Sequence, residues 1–144
     1  MFKKMCLVLL LVSAFLAQSY AQEPEEVVFS GIPVVKISEG GASRVVEDVK
    51  GEKAMEAECT ITKVGGKYLW KTRNNVEFVL IQSGAYMTFV ATSGAGYVRV
   101  IPPNMKEAAV LGAAVMHDEA EIKYDYVEHM LIGLRSVTYY GKSK

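Results

Sequence analysis

Cysteine, histidine and tryptophan are scarce in this chain, at two, two and one among 144 residues. Cys6 falls in an apolar N-terminal run, so a chain processed after that run keeps Cys59 alone and forms no internal disulfide. Packing must then hold the fold unaided. The histidines, His117 and His129, leave little material for acid–base or metal chemistry. No serine sits in a Gly-x-Ser-x-Gly elbow. The stretch His117–Glu121 (HDEAE) is not a His-Glu-x-x-His site, and it lacks the alternating pattern and central glycine of a calcium loop. Gly94-Ala95-Gly96 is glycine-rich but runs from strand to strand, without the helix that a phosphate cradle needs. No cofactor is implied. Net charge is also missing, since 16 basic residues balance 16 acidic ones. A neutral domain has no electrostatic footprint for nucleic acid or an anionic membrane.

What is present begins with Met1 to Ala21, which has the pattern of a secretory signal peptide. Lys3 and Lys4 form its charged start, an apolar run follows from Met5 to Ala17, and Ser19-Tyr20-Ala21 supplies small residues at the cleavage site. That run is about 13 residues, short of the roughly 20 needed to span a bilayer, so cleavage is expected rather than anchoring. Loss of Lys3 and Lys4 takes the 16 basic residues to 14, against 16 acidic. Residues 22–31 are expected to be a flexible segment, 32–141 a single β-rich domain and 142–144 a tail. Val27–Phe29 and Val34–Ile37 are short β-branched runs split by Ser30-Gly31-Ile32-Pro33. Pro33 cannot donate to a ladder, which points to an edge or an entry strand. Arg44–Lys50 is a further strand candidate, and Gly51–Ala54 a turn.

The stretch from Glu56 to Ile101 organises the rest. It predicts five short strands joined at Gly65-Gly66, Asn74-Asn75, Gly84-Ala85 and Ser93–Gly96. Gly-Gly and Asn-Asn tolerate positive φ at both central positions of a type I′ hairpin turn, and Gly-Ala suits type II′. Alternation places Ala57, Cys59 and Ile61 on one strand face, which predicts a buried, inert thiol; an exposed, reactive thiol that pairs between chains is the alternative. Tyr68, Trp70 and Thr72 alternate with Lys67, Leu69, Lys71 and Arg73, as in a sheet with one wet side. Val76–Ile81 is almost wholly apolar and is expected to be a central strand covered on both faces. Strands repeating about every ten residues predict a mainly β fold, either a small antiparallel β-sandwich or a partly open barrel built on a hairpin meander.

After Pro102-Pro103, Asn104 and Glu107 have the spacing of a helix cap and its reciprocal partner. The all-apolar Ala108–Met116 predicts one short helix near residues 105–117, covered on every side. Ile122, Tyr124 and Tyr126 alternate with polar residues as a strand would, and Met130–Tyr140 is strand-like at its end. Two candidate sites follow. His117, Glu121, Asp125 and His129 could gather as a zinc or manganese site; the bland alternative is a solvated, charged connection. Tyr68, Trp70, Tyr86, Tyr97, Tyr124 and Tyr126 could form an aromatic ligand or partner surface, large in contact area with polar tips, or be core and rim. The expectation is an exported periplasmic or extracellular domain, non-catalytic, binding an envelope or extracellular protein or a small ligand, with no membrane span after cleavage. A metal-dependent binder or hydrolase using the histidine–carboxylate cluster is one alternative. A homo-oligomeric structural subunit, burying Met130–Leu134 between copies, is the other.

Overall fold

A computed structural model describes residues 23–83, 86–101 and 124–144. Its elements are β1 (Glu26–Gly40), β2 (Ser43–Asp48), α1 (Glu52–Glu56), β3 (Cys59–Val64), β4 (Lys67–Trp70), β5 (Val76–Ser83), β6 (Tyr86–Ala91), β7 (Gly96–Val100), β8 (Tyr126–Ile132) and β9 (Arg135–Ser143). Every pairing is antiparallel, in the order β2-β1-β3-β4-β5-β6-β7-β8-β9, and β9 also pairs with β1 from Gly31↔Ser143 to Gly40↔Arg135. That last pairing closes eight strands into a barrel and leaves β2 as one extra strand outside it. The fold is therefore mainly β, as the strand spacing predicts, and the sheet closes rather than staying partly open.

The turn chemistry explains the meander. Gly65 and Gly66 have φ of 56° and 77° and join β3 to β4 as a tight turn. Asn74 and Asn75 also take positive φ, 56° and 55°, but they end a longer loop, because the β4–β5 ladder opens at Trp70↔Val76. Gly84-Ala85 lies outside the described residues, as does the helix expected near 105–117. The helix that is described is α1, where the sequence suggested only a turn over Gly51–Ala54; Ala54 and Met55 N–H both donate to Gly51 O.

The N-terminal half departs most from expectation. The two β-branched runs form one strand of 15 residues, so Glu26–Gly31, expected to be flexible, belong to β1. Pro33 lies in the entry strand of the sheet and not at an edge. It sits where β1 exchanges β3 for β2 along one side, and a bulge between Pro33 and Val35 absorbs the irregularity against β9. At the other end Lys142 and Ser143, expected in a tail, pair with Ile32 and Gly31. Met130–Tyr140 is strand at its end, as expected, and its start belongs to β8, with a turn between them at Gly133, φ 62°.

Alternation along the strands fills the barrel. Phe29, Cys59, Ile61, Trp70, Phe78, Phe89, Ala91, Val98, Val100 and Tyr126 make one buried cluster. Its rings meet at 4.8 Å (Trp70–Phe78), 5.2 Å (Phe29–Tyr126) and 5.4 Å (Tyr68–Phe89), separations typical of favourable aromatic pairs. An eight-stranded barrel is just wide enough for side chains to fill it or for one small ligand; this one is packed with side chains. The outer face of β5 corrects the idea of a strand covered on both sides, since Val79 and Ile81 are 54% and 52% exposed.

Candidate functional site

The inward positions of β8 are Tyr126, Glu128 and Met130, so the period of two that buries a tyrosine also carries a carboxylate into the core. Glu128 is fully buried. Its Oε1 accepts from Trp70 Nε1 at 3.0 Å, and Arg73 Nη2 reaches both carboxylate oxygens, at 3.0 and 3.1 Å. Arg73 comes from the β4–β5 loop, where the wider connection gives its side chain room to fold back across the barrel end. Its guanidinium also donates to Ala57 O at 3.3 Å and Thr72 O at 3.1 Å, and lies over the Tyr139 ring. Buried charge survives only when paired and hydrogen-bonded, and these contacts meet that condition.

The electrostatics of this cluster are dominated by its burial. Burial pushes the Glu128 carboxyl up to about 7, with Arg73 and the Trp70 indole pulling the other way. Burial also drives the Cys59 thiol well above its ordinary range, assisted by the Glu128 charge, so it stays protonated and unreactive. The Tyr126 phenol is raised for the same first reason. Its hydroxyl is buried with no hydrogen-bond partner among the described residues. Gly31 and Gly141 flank the Tyr126 ring, and a Cβ at either position would collide with it. No described group here combines nucleophilic character with access to solvent.

Above this layer the wall is uneven. Lys36, Tyr139 and Glu128 share one register row across β1, β9 and β8. Beyond it the upper parts of β2, β1, β9 and β8 continue as a curved flap, since β3 ends opposite Gly31 and β7 opposite Met130. The inner side of that flap holds a groove of about 390 Å3 lined by Lys36, Ser38, Glu39, Gly40, Ser43, Val45, Ile132, Arg135, Ser136 and Val137. Lys36 pairs with Glu47 at 3.3 Å. Val45 and Ile132 present apolar surface there, 50% and 59% exposed. Sequence reasoning missed this site because its residues are ordinary individually and meet only through barrel closure.

The aromatic candidates do not share one surface. Trp70 and Tyr126 are buried inside the barrel and Tyr68 packs half-buried against Phe89. Tyr97 faces outward, stacked on His129 at 5.3 Å with Arg99 nearby. Tyr124 is nearly buried against Tyr140, and Tyr86 lies half-buried at the start of β6. Of the metal candidates, His117 and Glu121 lie outside the described residues. Asp125 accepts from Ser143 N–H at 3.0 Å, while His129 Nδ1 meets Thr138 Oγ1 at 2.9 Å. Among the described residues no group of three or more histidine, cysteine, aspartate or glutamate side chains is placed to hold a metal. Nor is any described helix long and apolar enough to cross a membrane. No protein-family model matches the chain, and neither a curated protein nor a solved structure matches it, so function has to be argued from the chain's own geometry.

Proposed function

We propose that this chain is an exported, non-catalytic binding protein whose ligand is a small amphiphile with an anionic head, held in the groove on the flap. The observation that carries this reading is the groove's mixed lining. Val45, Ile132 and Val137 offer apolar contact, Ser38 and Ser43 offer hydroxyls, and Lys36 and Arg135 offer cations at one concave surface, while the one carboxylate of the lining, Glu39, is neutralised by Arg44 at 3.1 Å. A volume of about 390 Å3 falls in the range of roughly 300–1,000 Å3 common to small-molecule sites. Arg135 has no acidic partner among the described residues, so its planar fork is free to take a carboxylate or phosphate in bidentate fashion. The packed interior supports a non-catalytic role, since its thiol and carboxylate lie behind the Arg73 layer. Export is supported by the charged start, apolar run and small-residue site of Met1–Ala21.

Titration calorimetry with dodecanoate tests this. The expected result is saturable binding that weakens on the order of tenfold in Arg135→Glu, about 1.4 kcal/mol. Absence of binding, or binding unchanged by Arg135→Glu, would overturn the proposal.

A further inference from the structure

Barrel closure leaves β2 outside the ring, and β2 is where the sheet still has an edge. Among the described residues it pairs with β1 alone, and each of its residues is exposed. The direction of its main-chain groups follows from one bond. Val49 N–H donates to Val34 O at 2.8 Å, in the register that pairs Lys36 with Glu47 and Ser38 with Val45. Hydrogen-bonded pairs alternate along an antiparallel ladder. Ser43, Val45 and Glu47 therefore turn their N–H and C=O toward β1, whereas Arg44, Val46 and Asp48 turn theirs outward. The side chains sort likewise. Val45 lies on the concave face with the groove and Glu47 with its Lys36 partner, and Arg44, Val46 and Asp48 lie on the convex face.

The geometry points to a second copy of this chain as the occupant of that edge, pairing β2 with β2 across a two-fold axis perpendicular to the sheet. Such an axis has to pass through one residue opposite itself, because directly opposed residues in antiparallel strands present side chains on the same face. Centred on Val46, the register sets Val46 against Val46 and, once on each side of the axis, Arg44 against Asp48 of the second copy; Val45 then lies opposite Glu47 on the concave face, where Glu47 keeps its Lys36 partner. Every outward N–H and C=O of Arg44, Val46 and Asp48 then meets a partner.

Neighbouring registers lack this agreement. Centring on Arg44 opposes two arginines. Centring on Glu47 opposes two glutamates and sets Arg44 against Lys50. Centring on Val45 sets Arg44 against Val46 and Ser43 against Glu47. Charged edges ordinarily repel chance strands. Here the same charges select one register, which separates β2 from a merely protected edge. Arg44 already pairs with Glu39 at 3.1 Å and Asp48 with Lys50 at 3.1 Å, so the contact extends an existing row of alternating charge. The axis leaves both concave faces on the same side of the joined sheet, so the flap of each copy continues into the flap of the other. The pairing stands whether or not the groove binds an amphiphile.

Sedimentation equilibrium of the purified protein over a wide concentration range tests it, with three variants. Val46→Pro removes an outward N–H and no bond to β1. Arg44→Asp and Asp48→Arg each place like charges opposite one another in the Val46-centred register. The wild type is expected to approach the mass of two copies as concentration rises. Each variant should stay at the mass of one copy with an unchanged β spectrum. An equimolar mixture of Arg44→Asp with Asp48→Arg should recover the doubled mass, since each aspartate then faces an arginine. A wild type that stays at one copy up to its solubility limit would overturn the proposal, as would a dimer that survives Val46→Pro or a mixture that fails to associate. If Val46→Pro does not fold, the mixture of the two charge variants decides.

Discussion

Removing Arg73 from beside Glu128 should make the protein's stability depend on pH in a direction the structure fixes. Glu128 is fully buried and titrates near 7 in the folded chain, against 4.5 ordinarily, with burial the leading cause. Between those values the folded protein holds a proton that the unfolded chain has released. The stability tied to the protonated carboxyl is therefore fully present below about 4.5 and is lost as pH rises through about 7. At about 1.4 kcal/mol for each tenfold change in proton affinity, the loss comes to about 3 kcal/mol. Arg73→Met strands an ionised carboxylate, which should cost about 3–5 kcal/mol at pH near 8, and clearly less at pH near 5, where the carboxyl is protonated. Glu128→Gln keeps an acceptor for the Trp70 indole and removes the ionisation, so its stability should lack the slope seen in the wild type. Urea unfolding followed through the emission of the chain's one tryptophan, Trp70, provides the assay. Equal costs of Arg73→Met at both pH values, or identical slopes for wild type and Glu128→Gln, would refute this reasoning.

Other perturbations follow from the same packing. Trp70→Ala empties the centre of the aromatic cluster and should cost about 3–5 kcal/mol in urea unfolding; a loss under about 1 kcal/mol would mean the residue is not core. Gly141→Ala drives a methyl into the Tyr126 ring and should destabilise by about 1–3 kcal/mol, whereas Gly133→Ala, at an exposed turn, should leave the interior intact even though it strains the positive φ. Cys59 should resist a water-soluble thiol reagent in the native protein and react only on unfolding; prompt native reaction would show that the barrel admits solvent. Glu58 is held below its ordinary range first by Lys144 and then by Ser30, so its contribution is present above about pH 4.5 and fades as pH falls below it. Glu58→Gln should flatten that acid limb in a pH series of unfolding curves.

How much of this was legible in the sequence depends on the range of the interaction involved. Gly65-Gly66 and the alternation of Cys59, Ile61, Tyr68 and Trp70 are local signals, and they predict the turn and the buried face that the structure has. Barrel closure is a contact between β1 and β9, whose paired residues lie 95 to 112 positions apart on the chain, with no composition signal of its own. Pro33 lies in the entry strand but not at an edge, because a proline implies an edge only where the ladder is regular, and β1 changes partners and bulges there. Gly133 carried a hairpin signal, a glycine positioned for positive φ, inside a stretch that reads as strand only at its end. Glu128 was hidden by its charge, since a carboxylate beside His129 reads as surface until Arg73 and Trp70 are seen to meet it. The groove was least legible, because Lys36, Val45, Ile132 and Arg135 come from four different strands.

The most direct test of the account is a proton–nitrogen correlation titration of the protein with dodecanoate, because it separates binding on the flap from entry into the barrel. Shifts concentrated at Lys36, Ser38, Val45, Ile132, Arg135 and Val137, with the Trp70 indole N–H unmoved against Glu128, are the predicted result. Displacement of the indole signal ahead of those amides would contradict it, by showing that the ligand enters the interior that the aromatic cluster fills.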